Sequence, residues 1–322
     1  MIRQKEENSV ARKNNKTKMN RIDGGIGWVV VGSAFMALML VDGMLFTLGI
    51  LYIEFLDEFK EGKGKTAWIT SLIPGTLLTV GPITGALTNR FGCRLVCIMG
   101  ALVSATGFVL SCFANSVYNL YCSLGILTGL GFGGIFLSTL VCVGQHFEKR
   151  RSFAMGISLS GSGVGIFVFA PVVRILIEEY GWRDRAEEKG MNQLDSAFLL
   201  SVIGISNTFG RILFGWIADR KGVNRLMLYG TSLVICGTAN VMNPLNDSKV
   251  YLMSYASVYG MFIGVFLSLN PVILVDLLGL ERLNKSLGLL MMFQGIATFL
   301  GPPLCVLTKC PSGLVKWNIQ LV

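Results

Sequence analysis

Runs of about twenty apolar residues, each long enough to carry a helix across a ~30 Å hydrocarbon core, recur along this chain almost from end to end. By length they fall at residues 27–51, 66–87, 95–113, 118–143, 152–177, 196–218, 226–242, 250–277 and 286–306. A backbone in lipid must satisfy its own N–H and C=O groups, which leaves helices or a closed barrel, and runs of this length are helices. The expected class is therefore an all-α polytopic membrane protein with about nine transmembrane helices. Composition agrees: 52% of the chain is hydrophobic and only 15% is charged, too little to cover a soluble protein of this size. The first run is longer than a signal-peptide core and no small-residue cleavage site follows it, so it reads as a retained span.

The charge is basic, +9 overall, but it lies in short tracts beside the apolar runs and no nucleic-acid-binding motif accompanies it, so nucleic acid is not an expected partner. The tracts read as topology determinants. Arg3, Lys5, Arg12, Lys13, Lys16, Lys18 and Arg21 precede the first run, Arg90 and Arg94 follow the second, and Lys149, Arg150 and Arg151 follow the fourth. Arg220, Lys221 and Arg225 follow the sixth, Arg282 and Lys285 the eighth. The positive-inside rule places all of these, and the N-terminus, in the cytoplasm. Asp57, Glu58, Glu61 and the stretch 178–193 then fall outside. The expected organisation is a basic tail over 1–22, an N-terminal half of five helices over 23–180, an extracellular linker over 181–195, a C-terminal half of four helices over 196–307, and a short tail over 308–322.

Cys93, Cys97, Cys112, Cys122, Cys142 and Cys236 lie in or beside apolar runs, where cysteine behaves as a small hydrophobe, and their spacing makes no metal-ligand cluster. Cys305 and Cys310 alone are placed to pair. A single histidine, His146 beside Glu148 and Lys149, builds neither a catalytic constellation nor a metal site and reads as a surface residue. With no nucleophile–base pair and no phosphate-binding loop, neither an enzyme nor a cofactor is expected. Nor does a ring of charges or a filter-like repeat point to a channel.

Arg211 is the sharpest functional pointer. It lies within the apolar run 196–218, and a guanidinium at that depth calls for an anionic partner. Either it holds the anion of a ligand, or it snorkels to the cytoplasmic face, ~10 Å of helix rise from Ala218. Asp42, ~21 Å of rise beyond Trp28, is either a proton or cation coupling site or the cap of a helix broken at Gly43. Arg174 reads as a headgroup residue paired with Glu178 and Glu179. Gly156, Gly161, Gly163 and Gly165 give one run a small-residue face for close helix packing, and Asn270-Pro271 marks a kink with a polar side chain for a cavity wall. Asn246-Asp247-Ser248 is a glycosylation sequon in a short extracellular loop, whereas those at Asn15 and Asn284 are cytoplasmic and expected to stay bare.

An internal echo joins two of the basic loops. Gly85, Asn89, Arg90, Gly92 and Arg94 after the second run match Gly215, Asp219, Arg220, Gly222 and Arg225 after the sixth, four helices later. A glycine-turned loop with arginines is either a gate latch, its arginines meeting carboxylates or helix C-termini, or a pair of topology anchors.

Asp23-Gly24-Gly25-Ile26-Gly27-Trp28 resembles the signature that opens the first helix of the monocarboxylate transporters, with Ile26 where an aromatic is usual. Phe147, Lys149, Arg150, Arg151, Ala154, Gly156 and Gly161-Ser162-Gly163 resemble the second signature of that family, with His146 where tyrosine is usual. Leu51-Tyr52-Ile53-Glu54, Thr66-Ala67-Trp68-Ile69 and Gly301-Pro302-Pro303 extend the likeness over nearly the whole chain. The resemblance implies a major facilitator superfamily bundle of six plus six helices. In that fold the loop echo falls six helices apart, so this chain is expected to be a shortened form lacking helices six and seven, lost between Gly181-Trp182-Arg183 and Asp195, and helix twelve. It further implies a secondary transporter of a small monocarboxylate or related organic solute, working at the plasma membrane by alternating access among membrane lipids, with a single-span glycoprotein as an optional escort.

In the family an aspartate and, one turn later, an arginine stand at Asn207 and Arg211, so the arginine is kept and its partner is not. Phe46 stands where proton-linked members carry a lysine, and Asn270 is a further substrate-side residue. Proton coupling is one option, at Asp42. The competing expectation is a truncated membrane protein that binds partners without transporting.

Overall fold

The computed structural model describes residues 23–59, 63–114, 116–179, 193–242 and 249–307, and among these it contains helices, turns and no strand. Each of the nine apolar runs is helical: α1 (Gly25–Phe59), α2a (Lys63–Thr79) with α2b (Gly81–Phe91), α3 (Cys93–Ser111), α4 (Val117–His146), α5 (Arg151–Glu179), α6 (Gln193–Ala218), α7 (Arg225–Met242), α8 (Lys249–Leu278) and α9 (Leu283–Leu307). By length and hydropathy five of them qualify as membrane spans among the described residues, and a sixth if the bent α2 pair counts as one. The tails, the centre of the linker, the sequon at Asn246 and the Cys310 partner of Cys305 lie outside the described residues.

Three expectations are corrected. The second run is two helices bent by 43°, because Pro82 at the start of α2b lacks the N–H that would continue the ladder. Helix α1 is unbroken at Gly43: the glycine gives close approach to Gly165 and Phe169 of α5, so Asp42 caps no helix end. Helix α6 starts at Gln193, inside the predicted linker. Pro271 is carried within the single helix α8.

Helix α5 sits at the middle of the packing, with α1 on one side and α6 on the other. Its glycines explain how it serves both. A methyl on Gly161 would collide with the Phe35 carbonyl oxygen of α1, and one on Gly156 with that of Arg211 on α6. Helix α9 lies along α2a and α2b, where Gly81 and Gly288 face each other, and α8 packs against α6 and α7. Apolar side chains from α1 to α5 form one large core, which Leu283, Leu287 and Met291 of α9 join. Leu289, Phe293, Ile296 and Leu300 make an exposed apolar stripe on the remaining face of α9, as lipid contact requires.

Candidate functional site

The basic loops gather at one end of the bundle. There the two family-like signatures meet: Asp23 places its carboxylate under the turn from α4 to α5 and accepts from the backbone N–H groups of Glu148 (3.2 Å), Lys149 (3.1 Å) and Arg150 (3.4 Å). Asp23 has φ of 61° to reach that position, and its own N–H donates to the His146 carbonyl at 3.0 Å. Trp28 packs edge-on against Phe147, ring centroids 5.2 Å apart, above the junction. Arg151 turns inward, buried, and donates from Nε to the carbonyls of Phe147 (2.9 Å) and Gly144 (3.2 Å). Lys149 and Arg150 stay exposed.

The loop echo holds in geometry too, since Gly92 and Gly222 both adopt positive φ, 82° and 94°, where a side chain would be strained. Asp219 caps the start of α5, accepting from the N–H groups of Ser152 (3.2 Å) and Phe153 (2.8 Å), the groups a helix N-terminus leaves free. Arg225 clamps it there through a 2.8 Å ion pair, bridges to Asp276 on α8 at 2.8 Å and donates to the Ala218 carbonyl. The first loop has a weaker counterpart, Asn284 of α9 donating to Asn89. Of the other loop residues, Arg90 lies over Phe91 and Arg220 over Trp216, both on their own helix ends, and Arg94 is exposed with no ion pair among the described residues.

Deeper in the bundle four polar side chains converge where α1, α5 and α6 pack. Arg211 is 3% exposed and Asn207 5%, so the arginine does not snorkel. The α8 helix explains why: Gly264 is so close that a methyl there would lie 3.0 Å from the Arg211 Cγ, which directs the side chain inward. Its guanidinium donates to the Leu159 carbonyl of α5. Asp42 of α1 stands within electrostatic reach of Arg211 and accepts a hydrogen bond from the Ser162 hydroxyl. An opposite charge that Asn207 cannot supply within α6 is thus offered at longer range by another helix. The Nε of Arg211 and Oδ1 of Asn207 are buried with no hydrogen-bond partner among the described residues, an arrangement that suits a polar ligand.

Phe46, one turn beyond Asp42, is exposed, and Asn270 is half-buried on α8 about two turns from Gly264. Ser162, Gly264 and Asp276 are the residues that the sequence did not single out as part of a site. Asp276 carries a signal in hindsight: it is a carboxylate at the same end of its helix as the arginine tracts.

The sequence profile of the Major Facilitator Superfamily matches residues 33–183 and 186–304. The chain is similar to monocarboxylate transporter 12 of Xenopus laevis, 27% identical over 378 residues that cover 88% of this chain and 82% of the relative. It is similar to monocarboxylate transporter 13 of Rattus norvegicus, 30% identical over 353 residues with the same coverage, 88% and 82%. Monocarboxylate transporter 14 of Mus musculus is 42% identical over 174 residues, 53% of this chain and 34% of the relative. The first two alignments are longer than the 322 residues of the chain, so those relatives carry residues that have no counterpart here.

Proposed function

The chain belongs to the major facilitator superfamily and, within it, to the monocarboxylate transporters, and from that premise we propose that it moves a small monocarboxylate or a related organic solute across the plasma membrane by alternating access. It is a multi-pass membrane transport protein, not an enzyme. One observation carries the substrate reading: a buried arginine, with unpartnered polar atoms beside it, at the junction of three helices. A guanidinium there presents a planar fork to a carboxylate, and in a dry site the pairing is strong because water does not compete. Asn207 and Ser162 add an amide and a hydroxyl for orientation, while Asn270 and Phe46 are the candidate walls toward the two openings.

Asp42 supplies a coupling device in this reading. While ionised it neutralises Arg211, and a proton on its carboxylate frees the arginine for the substrate anion, so proton and substrate enter together. At the basic end, taken as cytoplasmic, the Asp219–Arg225–Asp276 network and the Asn89–Asn284 bond tie helices on the two sides of the bundle and act as the latch of the closed inner gate. The missing relatives' residues are read as helices six and seven, an even number that leaves the later spans correctly oriented. A single-span glycoprotein escort and the surrounding lipid complete the proposed setting.

The test is uptake of a panel of labelled monocarboxylates into cells expressing the chain at a verified surface level. Wild type is expected to accumulate at least one of them. Arg211→Ala is expected to lose on the order of a hundredfold in uptake, as removal of a buried charge partner typically costs about 2–5 kcal/mol. Surface-exposed protein with no uptake of any panel member overturns the reading and favours a partner-binding, non-transporting form.

A further inference from the structure

The basic end of the α3–α4 pair gathers sulfur in a way the transport reading does not use. Cys93 opens α3, Cys142 lies one turn before the end of α4, and both are free thiols, half-buried. The two helices run antiparallel at glycine-to-backbone distance: a methyl on Gly100 would sit 2.7 Å from the Gly131 carbonyl oxygen. A methyl on Gly134 would lie 3.3 Å from the Gly100 Cα, and two turns from there toward the basic end bring Cys93 level with Cys142, close enough for their thiols to interact, with Cys97 one turn farther along α3.

His146 completes the arrangement. Its Nδ1 lies 2.8 Å from the Cys142 carbonyl oxygen, which only accepts, so Nδ1 carries the hydrogen; the same nitrogen is 3.9 Å from the Cys142 sulfur. That hydrogen is directed at the carbonyl, and the polar edge of the ring faces the sulfur, which favours negative charge building up on it as it reacts. The cluster is not arranged for a metal: no group of three or more cysteine, histidine or acidic side chains able to hold an ion occurs among the described residues. Two neighbouring thiols on packed helices, one of them beside an imidazole, suit dithiol chemistry.

We propose that Cys93 and Cys142 form a redox modification site in which hydrogen peroxide converts the two thiols into a disulfide stapling α3 to α4. The Cys142 sulfur attacks the peroxide; an S–O bond forms, the O–O bond breaks, and one water leaves with the thiol proton. The Cys93 sulfur then attacks that of Cys142; the S–S bond forms, the S–O bond breaks, and the departing hydroxide takes the Cys93 proton as a second water. Two electrons pass from the thiols to the peroxide. A small-molecule thiol reverses the bond by exchange, as expected on a membrane face exposed to a reducing cytosol.

The staple lies one turn from the His146 carbonyl that anchors Asp23, so the modification reaches the junction of the two signatures.

The experiment treats membranes containing the full chain with hydrogen peroxide, blocks remaining thiols by alkylation, and identifies linked peptides by mass spectrometry. A Cys93–Cys142 linkage is expected, removed by dithiothreitol, absent in Cys93→Ser and Cys142→Ser, retained in Cys97→Ser, and formed several-fold more slowly in His146→Ala. Complete alkylation of Cys93 and Cys142 after peroxide, linkage through Cys97 instead, or Cys142 halted as an unlinked oxyacid each overturns the proposal.

Discussion

Asp42 and Arg211 are 169 positions apart in number yet act on each other across three helices, and their opposite charges explain why both are tolerated away from water. In the proposed coupling, replacing Asp42 by Asn removes the anion that competes with substrate for Arg211. Uptake in Asp42→Asn is therefore expected to lose its rise with falling external pH, remaining flat where wild type increases, which a pH series under an imposed proton gradient reads directly. At the basic end Asp219→Ala removes a carboxylate that caps two N–H groups of α5, and the purified protein is expected to lose about 1–2 kcal/mol in thermal unfolding, with Asp219→Asn losing less because one acceptor oxygen remains. At this scale the sequence disclosed Arg211 by its depth and Asp42 by its charge but not that packing brings the two within electrostatic reach. Such a pairing depends on helix contacts that no local pattern encodes. Asp276 stayed hidden for the same reason: its partner Arg225 is 51 residues away, and one carboxylate at a helix end is ordinary.

The helices themselves were legible, because a run of apolar residues bounded by charge is a physical necessity in lipid and survives without any knowledge of neighbours. Their ends and bends were less so. The charged end of α1 stays helical to Phe59, and the break at Pro82 competes with an apolar run that reads as continuous. The glycines of α5 suggested a packing face; the structure shows two, Gly161 and Gly165 against α1 and Gly156 and Gly163 against α6. Gly161→Val is expected to force α1 away from α5 and to destabilise the protein by about 1–3 kcal/mol in a thermal-shift assay, since the obstacle is the Phe35 backbone and not a side chain able to rotate.

At the scale of the whole molecule, a superfamily bundle is built from a chain shorter than the alignments that relate it to its relatives. The retained packing of α5 on α6 and of α2 on α9 still couples helices early in the chain to helices late in it, which is the coupling alternating access requires. The basic tracts predict orientation: an epitope on the N-terminus should bind antibody only after permeabilisation, and one inserted within residues 181–192 should be reached on intact cells. The central claim, that Arg211 recognises a carboxylate, is tested most directly by competition between a transported labelled monocarboxylate and its unlabelled acid or primary amide, in wild type and in Arg211→Lys. Inhibition by the acid and not the amide in wild type, with uptake sharply reduced in Arg211→Lys because an ammonium lacks the planar fork, is the predicted result. Equal inhibition by acid and amide, or unchanged uptake in Arg211→Lys, would contradict it.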